Sequence, residues 1–326
     1  MKNLRRFIIV IIAMLFVGSN SFAFTCDPSM TTDGTCNVAR VTLGSITLLD
    51  DDTNLLGSSY NATSCIGLFV GNDGPVSSPN YTEDTERNIG ENLDGLLNGQ
   101  NPKKADNQFY YLSDDTPYFF TGEEFIDGKK GHLTNYGDFQ DLDGDGSYTD
   151  AGWIHLAEIT PSSSQYDLAG PNPYNPAATG IVLNIDDFLD ITFFWGDSEY
   201  TNGAWELAFN GGEQAIDKVQ ELLGGATFDH LAFSFKVATY FAVYDFNFNT
   251  IFEQETNLNF LTPYVLSGTF NTCDFPNPTA TNPQDISHIH VWARDPAGTS
   301  VIPEPSTFIL LGAGLIGLVA YRRKRS

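Results

Sequence analysis

The sequence predicts a mainly β fold: an antiparallel β-sandwich with one short helix and long loops. Three observations carry that expectation. Short runs rich in β-branched and aromatic residues recur along the 326-residue chain, most of them bounded by Gly, Asn, Asp or Pro. In Ala232-Phe233-Ser234-Phe235-Lys236-Val237 and Tyr244-Asp245-Phe246-Asn247-Phe248-Asn249 large apolar residues stand at every second position. That period of two means a sheet with one buried and one wet face. Only one stretch carries a helical stripe, so the layers that bury the apolar faces must be sheets.

In chain order, the predicted strands are Val41 to Leu49, Gln108 to Leu112, Trp153 to Ile159, Ile181 to Ile185, Leu189 to Trp195 and Trp205 to Phe209. Leu231 to Thr239, Tyr240 to Asn247, Tyr264 to Thr269 and His288 to Ala293 complete the set. The helix is expected over Glu213 to Leu223, where Ala215-Ile216, Val219 and Leu222-Leu223 line one side and Gly224-Gly225 ends it. No Pro/Ser linker separates two halves and no fixed-period repeat is present, which favours one domain over residues 24–301.

The two ends are of another kind. Lys2, Arg5 and Arg6 precede the apolar stretch Phe7 to Val17, and Ser21-Phe22-Ala23 supplies the small residues that a signal peptidase reads. Residues 1–23 are therefore expected to be a signal peptide, with the mature chain starting at Phe24. At the other end, Pro303-Glu304-Pro305 is followed by an apolar run from Thr307 to Tyr321 and then by Arg322, Arg323, Lys324 and Arg325. Each Pro disfavours helix in the residue before it, so Ile302 to Glu304 should stay extended just ahead of the apolar segment. About 15 apolar residues fall short of the roughly 20 that span comfortably, which suits a transient transmembrane helix. The basic cluster would hold its far end on the cytoplasmic side.

This tail, with the Gly-interrupted run Leu311-Gly312-Ala313-Gly314-Leu315-Ile316-Gly317, resembles that of the PEP-CTERM sorted exoproteins of Gram-negative bacteria. The resemblance implies that residues 302–326 are a sorting tail, that an exosortase recognises Pro303, Glu304 and Pro305, and that the protein reaches the cell surface or extracellular matrix. It covers about a tenth of the chain and implies an address, not an activity. More loosely, the body is similar to β domains that recur in proteins with this tail. The similarity lies in Cys65-Ile66-Gly67, Gly71-Asn72-Asp73, Gly152-Trp153, Gly203-Ala204-Trp205-Glu206-Leu207, Leu231 to Lys236 and Ser287-His288-Ile289-His290-Val291-Trp292. It implies a fold and no function.

With both ends removed, nine Lys and Arg face 40 acidic residues, a formal charge of −31. Such a surface repels nucleic acid and favours divalent cations. Cys26, Cys36, Cys65 and Cys273 all fall in the exported part, where an even count favours disulfides in one of three connectivities. Cys26 and Cys36 are close enough for a local loop, which would leave Cys65 to reach Cys273.

The strongest chemical motif is Asp141-Leu142-Asp143-Gly144-Asp145-Gly146-Ser147-Tyr148-Thr149-Asp150. Carboxylates at alternate positions with Gly sixth let a tight loop aim hard oxygens at one centre, as Ca²⁺ requires. Asp141, Asp143, Asp145 and Asp150 are the expected ligands of a structural Ca²⁺, although Gly152 stands at the twelfth position where a bidentate Glu is usual. A plain acidic turn is the competing reading. His288 and His290 project to one face of a strand, as two metal ligands would, but no third ligand is identifiable and packing is favoured. His132, His155 and His230 read as isolated. Adjacent acids such as Glu123-Glu124 and Asp186-Asp187 read as solvated surface, and no Gly-x-Ser-x-Gly elbow, His-Glu-x-x-His or phosphate-binding glycine loop is present. Aromatic residues, 13% of the chain, should mostly fill the sandwich core. The sequence thus points to an exported, non-catalytic surface or biofilm-matrix protein, with an exopolysaccharide-binding module or carbohydrate-active enzyme as the alternative.

Overall fold

The computed structural model describes residues 35–49, 53–71, 73, 97, 109–111, 117–118, 122–126, 152–166, 168–169, 183–209, 228–255, 264–275 and 283–294. The strands are β1 (Val41–Leu48), β2 (Tyr60–Asn61), β3 (Ser64–Val70), β4 (Phe109–Tyr111), β5 (Pro117–Tyr118), β6 (Trp153–Thr160), β7 (Ser163–Tyr166), β8 (Leu168–Ala169), β9 (Leu183–Asn184), β10 (Leu189–Trp195), β11 (Asn202–Phe209), β12 (His230–Val237), β13 (Tyr240–Asn247), β14 (Tyr264–Asn271) and β15 (Ile286–Arg294). Among the described residues one α-helix, α1 (Phe248–Phe252), interrupts them. It begins where the apolar alternation of β13 continues, because the Asn247 side chain accepts hydrogen bonds from the Asn249 and Thr250 amides and caps a turn. The helix expected over 213–223 lies outside the described residues.

Two antiparallel sheets are formed. The smaller runs β10-β11-β14-β1-β2 and the larger β5-β4-β3-β13-β12-β15-β6-β7, while β8 and β9 pair on their own. Their inner faces meet in a core where Phe233 lies 4.8 Å from Trp205, 6.0 Å from Phe193 and 6.3 Å from Phe246, ring centre to ring centre. The Trp205 indole N–H donates to the Thr42 carbonyl at 3.1 Å across β14. That reach needs Gly268, where any Cβ would overlap the same carbonyl.

The expectation of a wet outer face fails for the larger sheet. Every residue of β12 is buried, as is every residue of β13 except Tyr240. A second apolar cluster covers this face, in which Leu97, Phe125 and Ile126 from the β3–β6 connection pack with Phe69, Trp153, Phe241 and Trp292. The strand pattern alone could not show that cover, because period two reports only that the two faces differ. The smaller sheet does keep a partly wet outer face, carrying a Thr42–Thr269 hydroxyl pair at 2.8 Å.

The disulfide expectation is corrected as well. Cys36 is bonded to Cys65, 29 residues away. After β2 pairs with β1, the chain crosses to the larger sheet at Ala62 and Thr63, whose amides donate to Val41 and to Asp245 respectively. That crossing brings the start of β3 beside the segment leading into β1. Nearness in space, set by the crossover, overrides nearness in sequence. Cys273 is also disulfide-bonded, so the Cys65–Cys273 link does not exist, and Cys26 lies outside the described residues. A further clasp joins the two ends of the domain. Arg40 Nε donates to Asp274 Oδ1 at 2.6 Å, and the Asn37 amide and the Tyr244 hydroxyl donate to Oδ2. Burial pushes the Asp274 carboxyl up despite these donors.

Candidate functional site

The buried outer face of the larger sheet holds more than the apolar cluster. Register places Lys236 opposite His288, Ser234 opposite His290, and His290 opposite Glu158. With period two, these side chains share one face. Asp73 joins them from the turn after β3. Gly71, at φ 141°, lets that turn fold back: its amide donates to the Thr239 carbonyl, and its own carbonyl accepts from Lys236 Nζ at 2.5 Å.

The result is a connected polar group. Asp73 Oδ1 lies 2.9 Å from His288 Nε2, and Asp73 Oδ2 accepts from Ser234 Oγ at 2.5 Å. His290 Nδ1 is 2.9 Å from His155 Nε2. Burial pushes the Asp73 carboxyl up, but the His288 hydrogen bond, the nearby His290 and His288 charges and Ser234 pull it further down, to a net value below the ordinary range. Burial lowers His288, and the Asp73 hydrogen bond and charge outweigh it, so its net shift is upward. Desolvation lowers Lys236. Asp73, His288 and His290 each offer a ligand atom within 4.8 Å of the others, a set that can hold one metal ion.

A second polar group lies at the other end of the same face. Arg294 Nη1 donates to Asp229 Oδ2 at 2.6 Å, and His230 Nδ1 sits 3.0 Å from both Asp245 oxygens. Burial lowers His230, but the Asp245 charge and hydrogen bond raise it overall, while burial leaves Asp245 raised. Asp229 Oδ1 and Trp292 Nε1 are buried without a hydrogen-bond partner among the described residues.

The shared face of His288 and His290 was legible from their spacing. Their third companion, Asp73, and the roles of His155 and His230 were not, although Asp73 stands in one of the segments that resembled other β domains. The sequence-predicted Ca²⁺ ligands Asp141, Asp143, Asp145 and Asp150, the Pro303-Glu304-Pro305 segment and the basic residues Arg322, Arg323, Lys324 and Arg325 all lie outside the described residues, as does His132. Phe233, Phe235, Phe246 and Trp205 are core residues, as expected.

Among known proteins, residues 301–325 match the PEP-CTERM protein-sorting motif. No curated protein and no solved structure matches the chain.

Proposed function

We propose, from the PEP-CTERM motif that marks this chain as an exosortase substrate and an exported protein, that the sandwich is a non-catalytic surface or biofilm-matrix protein. The motif at 301–325 is the observation that carries the reading. Residues 1–23 direct export and are removed by signal peptidase. The apolar segment from Thr307 to Tyr321 lodges in the membrane with Arg322, Arg323, Lys324 and Arg325 on the cytoplasmic side, and the exosortase acts at Pro303-Glu304-Pro305. The acidic domain is then delivered to the surface or to the exopolysaccharide around the cell.

The test is cell fractionation of the natural protein beside a variant with Pro303, Glu304 and Pro305 all changed to Ala. The natural protein should lose its tail and leave the membrane fraction, and the variant should accumulate there at full length. Normal maturation of the variant would refute the reading. We also assign the Asp141–Asp150 loop a structural Ca²⁺, with a dissociation constant of about 0.1 to 1 mM. Thermal melting of chelator-stripped protein with and without added Ca²⁺ reads it: the natural protein shifts and Asp143→Ala does not.

A further inference from the structure

We propose that Asp73, His288 and His290 bind one divalent first-row transition-metal ion, for which Zn²⁺ is the probe. The three ligand atoms already lie within 4.8 Å of one another. They are drawn from two places far apart in the chain: alternate residues of β15, and a turn pinned at Gly71 through both its amide and its carbonyl. The side chain of Asp73 is 2% exposed and that of His288 is 21% exposed, so the site opens to solvent on the His288 side.

The surrounding groups are arranged as metal ligands need. Ser234 Oγ occupies Asp73 Oδ2, which directs Oδ1 toward the histidines. His155 Nε2 lies 2.9 Å from His290 Nδ1, a hydrogen bond that fixes the His290 ring. A metal-bound histidine is commonly held by such a hydrogen bond from its second nitrogen. The ion replaces the proton now shared by His288 Nε2 and Asp73 Oδ1, and that proton leaves to solvent.

Two imidazoles and one carboxylate suit Zn²⁺ and its transition-metal neighbours, whereas Ca²⁺ and Mg²⁺ select all-oxygen shells. Three protein ligands leave one position of a tetrahedral shell for water. Two neighbouring charges have opposite effects: Glu158 favours the ion, and the Lys236 ammonium, tied to the Gly71 carbonyl, opposes it.

The decisive experiment uses full-length untagged protein, stripped with chelator and returned to millimolar Ca²⁺ so that the acidic loop does not compete. Equilibrium dialysis should find one Zn²⁺ per chain, and Co²⁺ in its place should give the visible absorption of a four-coordinate site with nitrogen ligands. Asp73→Asn and His288→Gln should each weaken binding at least about tenfold while leaving the far-ultraviolet circular dichroism unchanged. If a variant fails to fold, the natural protein decides alone: Zn²⁺ at a hundredfold excess over its Kd should raise the Tm by about 5 °C. Absence of stoichiometric Zn²⁺ in the natural protein would overturn the site, as would unchanged Zn²⁺ affinity in both folded variants. Neither result bears on sorting, which the tail variant tests separately.

Discussion

The two faces of β12 are both buried, yet they are built from different materials. Toward the smaller sheet, β12 presents Leu231, Phe233, Phe235 and Val237, and nothing on that side needs a partner beyond close packing. Away from it, the same strand presents His230, Ala232, Ser234 and Lys236, and each polar member is matched to a specific atom brought from elsewhere. Apolar burial is non-directional and scales with area, so the inner face depends on shape. A buried polar group is tolerated only when hydrogen-bonded, so the outer face depends on pairing. The first kind of face makes a fold stable; the second can make a site.

Breaking the inner face should cost most. Phe233→Ala removes a ring packed by Trp205, Phe193 and Phe246 and should lower unfolding free energy by about 3 to 5 kcal/mol in a urea titration. The outer face should respond differently, to the loss of a partner more than to the loss of volume. Arg294→Met takes the guanidinium from the buried Asp229 carboxylate and leaves it only a 3.4 Å hydrogen bond from Asn249 and His230 at 3.9 Å, at a cost of about 3 kcal/mol, whereas Arg294→Met with Asp229→Leu should recover most of it. A double variant no better than the single one would mean that volume and not charge pairing governs this face.

A smaller effect is readable as pH dependence. His230 has a folded pKa above its ordinary 6.5, so the stability it confers is complete below about pH 6.5 and is lost as pH rises through the folded value. Raised Asp245 acts in the same sense at lower pH. With chelator present, unfolding free energy should therefore fall as pH climbs above neutral, and His230→Gln should flatten that slope by at most about 1.4 kcal/mol per pH unit. The smallest change is expected on the wet face of the other sheet. Thr269→Ala removes an exposed cross-strand hydroxyl pair and should cost about 0.2 to 1 kcal/mol by the same titration.

How much of this was legible follows from the same contrast. The strands β10 and β13 agree with their sequence-read limits, because aromatic and β-branched runs there are cut by Asp and Gly or by a capping Asn. β3 escaped notice, since Gly67 breaks its apolar run at a bulge opposite Ala242 and Phe241. The inner face could be listed from period two alone. The outer face could not, because its partners are remote: Asp73 meets His288 across 215 residues and Ser234 across 161. The Cys36–Cys65 bond was hidden for a similar reason, being set by where the chain changes sheets.

The clasp between Arg40 and Asp274, together with the pairing of β1 along β14, carries a consequence for how the molecule comes into being. A polypeptide threaded outward from its amino end presents β1 more than 200 residues before its partner strand emerges. The smaller sheet cannot close around it in the interval, and loop closure of that length is slow. Whatever releases the chain from that end, the β1–β14 ladder and the Arg40–Asp274 clasp form only after residues 264–274 have emerged.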